Sequence, residues 1–302
     1  MALKKKGMQP TNKLLVCFFL IFLLPVIGYA QPTNDDCSAA QNLCPNTTFT
    51  GTTFASGSQI CGGCADAATA TGNFCYSIKR TVWYSFTTNS IGGNADISIS
   101  NISCFVGAGF DDELQAVVIS AGTPCDESTY TAVSNCETGT NSAFILNAVA
   151  LLPNTTYFVQ INGDLNGAGI TNAAECDFTI EVSGTAIDVI IDATSSPSAC
   201  NVNDGTITVN SVDGGVPTYD FSLNGGAFQA SNSFTSLSAG NYTLTVQDAN
   251  GCLFFETVPV AETGGPDNST ATITNASCTG NNGQIQIVNT SGGNPAYTFT
   301  LV

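Results

Sequence analysis

The chain has 302 residues, 13 cysteines and no histidine, and its 23 acidic residues face only 6 basic ones. Four of the six (Lys4, Lys5, Lys6 and Lys13) sit at the extreme N-terminus, so the rest carries Lys79 and Arg80 against all the acids, 2 − 23 = −21. That balance excludes a nucleic-acid surface, which needs clustered cations. Without histidine, every mechanism that uses imidazole as base, nucleophile or metal ligand is excluded as well.

Met1 to Lys13 is a basic segment, Leu14 to Ile27 an apolar run, and Gly28-Tyr29-Ala30 supplies small residues ahead of Gln31. This is the layout of a secretory signal peptide, and cleavage is expected after Ala30. The apolar run is shorter than the roughly 20 residues a spanning helix needs, so the mature chain is not expected to span a membrane. Cys17 lies inside that run and is not read as a lipidation site.

Twelve cysteines remain after cleavage, a density that reads as disulfide bonding in an oxidising compartment, outside the cell or on its surface. Cys61-Gly-Gly-Cys64 has the spacing of thiol oxidoreductases and zinc sites, and Cys44, Cys61, Cys64 and Cys75 are four thiols for a metal. No helical periodicity follows the motif, and a redox cysteine needs a helix N-terminus, so structural disulfides are the better reading. Cys125 and Cys136 flank a short segment and are expected to bridge neighbouring strands.

Residues 31–184 read as one β-sandwich. Phe178, Ile180 and Val182 alternate with Asp177, Thr179 and Glu181. Tyr157, Val159 and Ile161 alternate with Phe158, Gln160 and Asn162, and the stretches around Ile97 and Trp83 behave likewise. Leu114 to Ser120 is apolar enough to be buried on both faces, and Trp83, the sole tryptophan, is expected in the core. Asp111, Asp112 and Glu113 form the densest acidic cluster. Neighbouring strand residues point to opposite faces, so the three do not suit paired-carboxylate hydrolysis. Calcium, with its preference for hard oxygen ligands, is the functional reading, against a solvated acidic turn. Asp164 with Asn162 and Asn166, and Asp248 with Asn250, are lesser candidates. Lys79-Arg80 reads as a solvated strand entrance.

Beyond residue 185 the chain repeats itself. Cys200 to Leu223 aligns without gaps onto Cys278 to Leu301, matching Gly205 with Gly283, Ile207 with Ile285, Gly214-Gly215 with Gly292-Gly293, Pro217 with Pro295, and Tyr219, Phe221 and Leu223 with Tyr297, Phe299 and Leu301. The matched apolar residues are two apart, as in strands. Asn241 to Val246 adds an alternating strand, closed by the turn Asp248-Ala-Asn-Gly251 and Cys252. An immunoglobulin-like sandwich fits such a unit, and a Cys200–Cys252 disulfide is expected to tie its ends. The second copy stops at Val302 in mid-strand, and the chain is expected to continue. The predicted organisation is a signal peptide at 1–30, a jelly-roll-like antiparallel β-sandwich at 31–184, an immunoglobulin-like repeat at 185–262 and a truncated second repeat at 263–302.

The pattern Cys200, Asn203-Asp-Gly205, Thr206-Ile-Thr-Val209, Gly214-Gly-Val-Pro217-Thr-Tyr219, and Gly240-Asn-Tyr-Thr-Leu-Thr-Val246 with Asp248-Ala-Asn-Gly-Cys252 resembles the SprB-type repeat of gliding-bacterium surface adhesins. The resemblance covers about a third of the chain and implies cell-surface display, adhesion and gliding-associated contact. Residues 34–183 resemble the pre-peptidase C-terminal-like sandwich, through Asn34-Asp-Asp-Cys37, Thr81 to Phe86, Phe110 to Leu114, Cys125 with Cys136, and Leu152 to Val159. That family is non-catalytic and accompanies adhesins and secreted hydrolases alike. The expected function is a secreted, non-catalytic adhesin contacting an extracellular surface, glycan or protein. The alternative is the accessory part of a hydrolase whose catalytic domain lies beyond residue 302.

Overall fold

Period-two apolar runs dictate strands, and the chain is all-β in the computed structural model. The structure describes residues 31–56, 80–165, 169–200, 202–266, 268–291 and 297–301. The signal-peptide segment, the Cys61-Gly-Gly-Cys64 motif, Cys75, Lys79, Asn166 and the second Gly-Gly-x-Pro step lie outside the described residues.

Ten strands precede residue 184 among the described residues: β1 (Gln41–Asn42), β2 (Phe49–Thr52), β3 (Thr81–Thr87), β4 (Gly93–Cys104), β5 (Leu114–Ala121), β6 (Tyr130–Ala132), β7 (Glu137–Thr140), β8 (Phe144–Leu151), β9 (Thr156–Gly163) and β10 (Cys176–Ser183). One sheet is ordered β1-β3-β9-β5, with β6 and β7 both pairing β5; the other is ordered β2-β10-β4-β8. All of these pairings are antiparallel except β1 with β3. From β2 to β5, and again from β7 to β10, each strand lies in the sheet opposite the one before it.

The core between the sheets collects alternate residues from each strand: Val82, Tyr84 and Phe86 face Ile97, Ile99, Leu146, Phe178 and Ile180. Each such side chain contributes about 1.5–3 kcal/mol when fully buried. Successive strand residues point to opposite faces, so Trp83 cannot join Tyr84 there. Trp83 is buried instead on the outer face of its sheet, in a second cluster with Cys37, Val117, Ile119, Tyr130 and Phe158. Its ring lies 6.0 Å from that of Tyr130 and 6.4 Å from that of Phe158. The first sheet is therefore covered on both sides. β5 is buried on both faces as its composition predicts, and so is β9, including Gln160 and Asn162, the polar alternates of its apolar run. The Thr81 hydroxyl donates to Asn162 Oδ1 across β3 and β9. Arg80 is not a solvated cation: its guanidinium lies 2.9 Å from the Glu175 carboxylate.

The next strands are β11 (Ile190–Ser196), β12 (Ser198–Ala199), β13 (Gly205–Asp213), β14 (Asp220–Leu223), β15 (Ser233–Leu237), β16 (Gly240–Gln247), β17 (Leu253–Val260) and β18 (Glu262–Thr263). Two three-stranded antiparallel sheets, β11-β13-β15 and β14-β16-β17, enclose a core of Ile207, Val209, Phe221, Leu244, Val246, Val258 and Val260. A short parallel pair, β12 with β18, closes the end. β19 (Asn268–Thr274) and β20 (Gln284–Ser291) then form an antiparallel hairpin. Its Ile285 is 51% exposed and Ile287 38%, whereas their counterparts Ile207 and Val209 are 0% and 2% exposed beneath β16 and β17.

Three disulfides join described cysteines: Cys37–Cys125, Cys44–Cys252 and Cys104–Cys176. Cys136 is disulfide-bonded too, but its partner is not Cys125. The hairpin geometry explains why. Ala121 pairs with Tyr130, placing Cys125 past that end of β5, whereas Glu137 pairs with Ala116 five residues down the strand. The two rungs are about 17 Å apart along β5, and Cys125 is joined instead to Cys37 beside the Trp83 cluster. The expected Cys200–Cys252 pair fails for the same kind of reason. The Cys200 N–H donates to Thr263 O at one end of the repeat, while Cys252 precedes Leu253 at the other, and the whole of β17 lies between. Non-reducing proteolysis with mass spectrometry should therefore yield a cross-linked peptide pair containing Cys44 and Cys252 and none joining Cys200 to Cys252.

Candidate functional site

The acidic cluster lies where two loops run side by side. The Asp111 N–H donates to Asn172 O (3.0 Å) and the Asp164 N–H to Glu113 O (2.8 Å), which draws Asp111, Glu113 and Asp164 together. Asp111 and Asp164 are buried, Glu113 is half-buried and Asp112 is exposed. The Asp111 carboxylate accepts the Asp112 N–H, and the Asp164 carboxylate accepts the Leu165 N–H. Among the described residues no group of three Asp, Glu, Cys or His side chains converges closely enough to hold a metal ion. Asp248, one of the two lesser calcium candidates, already has partners: its carboxylate accepts the N–H groups of Val216, Asn250 and Cys252, each at 2.9 Å. It shapes the loop that presents Cys252.

Burial, then the charges of Asp111, Asp164 and Asp112, push the Glu113 carboxyl above its usual range. The folded protein thus holds this proton more tightly than the unfolded chain. The ionised form weakens the fold at pH above the raised pKa, and the penalty fades as pH falls through it. Glu113→Gln should raise the melting temperature at pH 7 slightly, by about 1 °C at most, because solvent screens this partly exposed carboxyl. The gain should vanish near pH 3, where the wild-type group is already protonated. Asp248→Ala should cost at least about 2 kcal/mol, because three backbone donors lose a charged acceptor, measured by denaturant titration.

A cleft of ≈ 590 Å³ opens on the first sandwich, at the side where β1 and β2 approach each other. Gly51, Tyr84 and Phe178 line its floor, and Thr50, Asn101, Asp177 and Thr179 belong to its walls. A Cβ at Gly51 would overlap both the Tyr84 hydroxyl and the Phe178 ring, so glycine in mid-strand leaves room for the Tyr84 side chain of the opposite sheet. The Tyr84 and Phe178 rings meet edge-on at 6.2 Å. Burial pushes the Tyr84 phenol up to about 12, against the lowering effect of its hydrogen bond with Asn34, so it stays a protonated donor at every physiological pH. Among the described residues the lining holds hydroxyls, amides and one carboxylate, with no cation. Sequence reasoning missed the cleft because its residues come from segments more than a hundred positions apart. The one local signal is a glycine inside a strand.

The second feature is the junction between the sandwich and the strands that follow. Ala186 and Ile187 are buried with the sandwich core. The Ser90 N–H and hydroxyl both donate to the Asp213 carboxylate, at 2.9 and 2.8 Å. Asn89 Nδ2 donates to the carbonyls of Thr185 and Asp188. Gly214, at φ +99°, lies so close to the Asp188 carbonyl that a Cβ would come within 2.9 Å of it. The space remaining beside Leu43, Phe86, Ile187 and Cys252 is ≈ 10 Å³, room for one water at most.

The sequence pattern of this region has known counterparts. Residues 193–228 and 270–301 match the family model of the SprB repeat. The chain carries two SprB repeat segments. The first begins within β11 and ends after β14; the second takes in most of the β19–β20 hairpin and the residues up to Leu301. The Asp248 loop and Cys252 lie outside the first match. No curated protein sequence matches the chain. Among solved structures the chain is similar to a β-glucuronidase from Ruminococcus gnavus in complex with uronic deoxynojirimycin (9% identity, TM-score 0.20). It is also similar to a GH2 β-galacturonidase from Eisenbergiella tayi bound to galacturonate (10%, 0.19) and to a β-glucuronidase of an uncultured Clostridium species (9%, 0.17). Each alignment covers 64% of this chain and 36% of the other. TM-scores this low carry no argument about fold or activity. Among the described residues no helix is long and apolar enough to cross a membrane.

Proposed function

We propose that this chain is a secreted, cell-surface, adhesin-like repeat protein that binds without turnover. The observation that carries the reading is the pair of SprB repeat segments. Repeats joined in series place weak contacts at high local concentration, which multiplies retention without any single strong site. The acidic composition favours it too, since mutual repulsion keeps exported chains soluble and separate. Contact falls to the cleft on the first sandwich, whose hydroxyl and amide walls suit an extracellular glycan, with Asp177 accepting from sugar hydroxyls and the protonated Tyr84 closing the floor.

Beads coated with the disulfide-bonded chain should be retained on a subset of a neutral glycan array. Asn101 and Asp177 are exposed, and Asn101 holds φ +51°, which glycine tolerates, so Asn101→Gly with Asp177→Ala should lower retention at least tenfold, about 1.4 kcal/mol, while leaving the melting temperature nearly unchanged. Undiminished retention by the double variant would remove the cleft from the reading. Cleavage of array glycans by the chain alone would overturn the non-catalytic assignment.

A further inference from the structure

We propose that the Cys44–Cys252 bond is a tension bypass: a pull arriving from the second SprB repeat travels along β17 and through this disulfide into the first sandwich, without loading the chain between the two cysteines. The inference concerns mechanics and does not depend on which ligand the sandwich holds.

The geometry rests on where the two sulfurs sit. Cys44 is five residues before β2 begins to pair in the first sandwich, and Leu43, its neighbour, is part of the sandwich core. Cys252 immediately precedes β17, and β17 runs through Val260 toward β18 and the second repeat. Tension entering at β18 therefore meets eight residues of strand and then a covalent bond. A β-strand is already near its full length, at about 3.3 Å per residue, so β17 acts as a tie with almost no slack to give. Its ladder to β16, paired from Gly240↔Val260 to Gln247↔Leu253, need not break for load to pass. The two cysteines are 208 residues apart in sequence, and that intervening chain holds nearly all of both folded bodies. The Asp248 carboxylate, by fixing the Cys252 N–H, holds the anchor point of the tie. Ser90 with Asp213 and the buried Ala186 and Ile187 keep the two bodies in register beside it.

Single-molecule pulling tests this directly, with handles at Gln31 and Leu301 of the oxidised chain. The oxidised protein should show no release of the 208-residue segment. After reduction by a phosphine the released contour should grow by about 700 Å. Cys44→Ala with Cys252→Ala, under oxidising conditions, should add an unfolding step for the stretch from Ile190 to Val260, about 250 Å. Asp213→Ala, which loosens the junction but spares the disulfide, should leave the released length as in wild type. A repeat-sized step in the oxidised wild type, or no change in released contour on reduction, overturns the proposal. The wild-type comparison decides the matter even if the double cysteine variant does not fold.

Discussion

The sulfur–sulfur link between Cys44 and Cys252 joins a residue of the first sandwich to the loop that leads into β17, and the arrangement of the described chain turns on it. By the loop-entropy argument a bridge closing so long a segment contributes about 3–5 kcal/mol. Its geometric effect matters more. A sulfur bridge holds two Cα atoms 5.3 Å apart, so the loop bearing Cys252 cannot leave the sandwich surface. The Asp213 clasp on Ser90 and the close approach of Gly214 to Asp188 are then contacts between surfaces already held together. Each alone is a modest polar or packing term; next to a covalent anchor they need not pay for association.

The first sandwich owes its shape to a different constraint. Its front sheet is buried on both faces, on one side by the inter-sheet core and on the other by the cluster around Trp83. The Cys37–Cys125 bridge fastens the N-terminal segment across that second cluster. The cost is visible in the polar residues that become buried on the outer face, Thr81, Gln115, Gln160 and Asn162. The cleft forms beside this doubly covered sheet because Gly51 lets the opposite sheet press onto Tyr84, leaving hydroxyl and amide groups around the opening. The acidic cluster, in contrast, is a loop-packing feature that raises the proton affinity of Glu113.

Local pattern made much of the fold legible. Phe178, Ile180 and Val182 are buried and their alternates are not, as spacing requires. Ile207 and Val209 likewise face a core. The errors fall where a second layer intervenes. Trp83 is buried, but in a second cluster outside the inter-sheet core where it was expected, because Val82, Tyr84 and Phe86 already occupy the inner side. Arg80 finds Glu175, the residue just before β10 and ninety-five positions later, which no window of sequence displays. The cleft was illegible for the same reason: Thr50, Asn101 and Asp177 converge only when strands from three parts of the chain are placed side by side.

What the amino-acid order determined alone is the strand content, the alternation of buried and exposed faces, and the SprB repeat, since each depends on residues two apart or on a fixed offset of 78. What only the tertiary structure decided is which cysteines meet and which polar groups gather. Spacing proposed Cys125 with Cys136 and Cys200 with Cys252. The fold instead joins Cys125 to Cys37 and Cys252 to Cys44, and it leaves the length of β17 between Cys252 and the end where Cys200 meets Thr263. A disulfide senses distance in space within a few ångströms, and separation along the chain says almost nothing about that distance once β-strands have carried the chain back and forth across a sandwich.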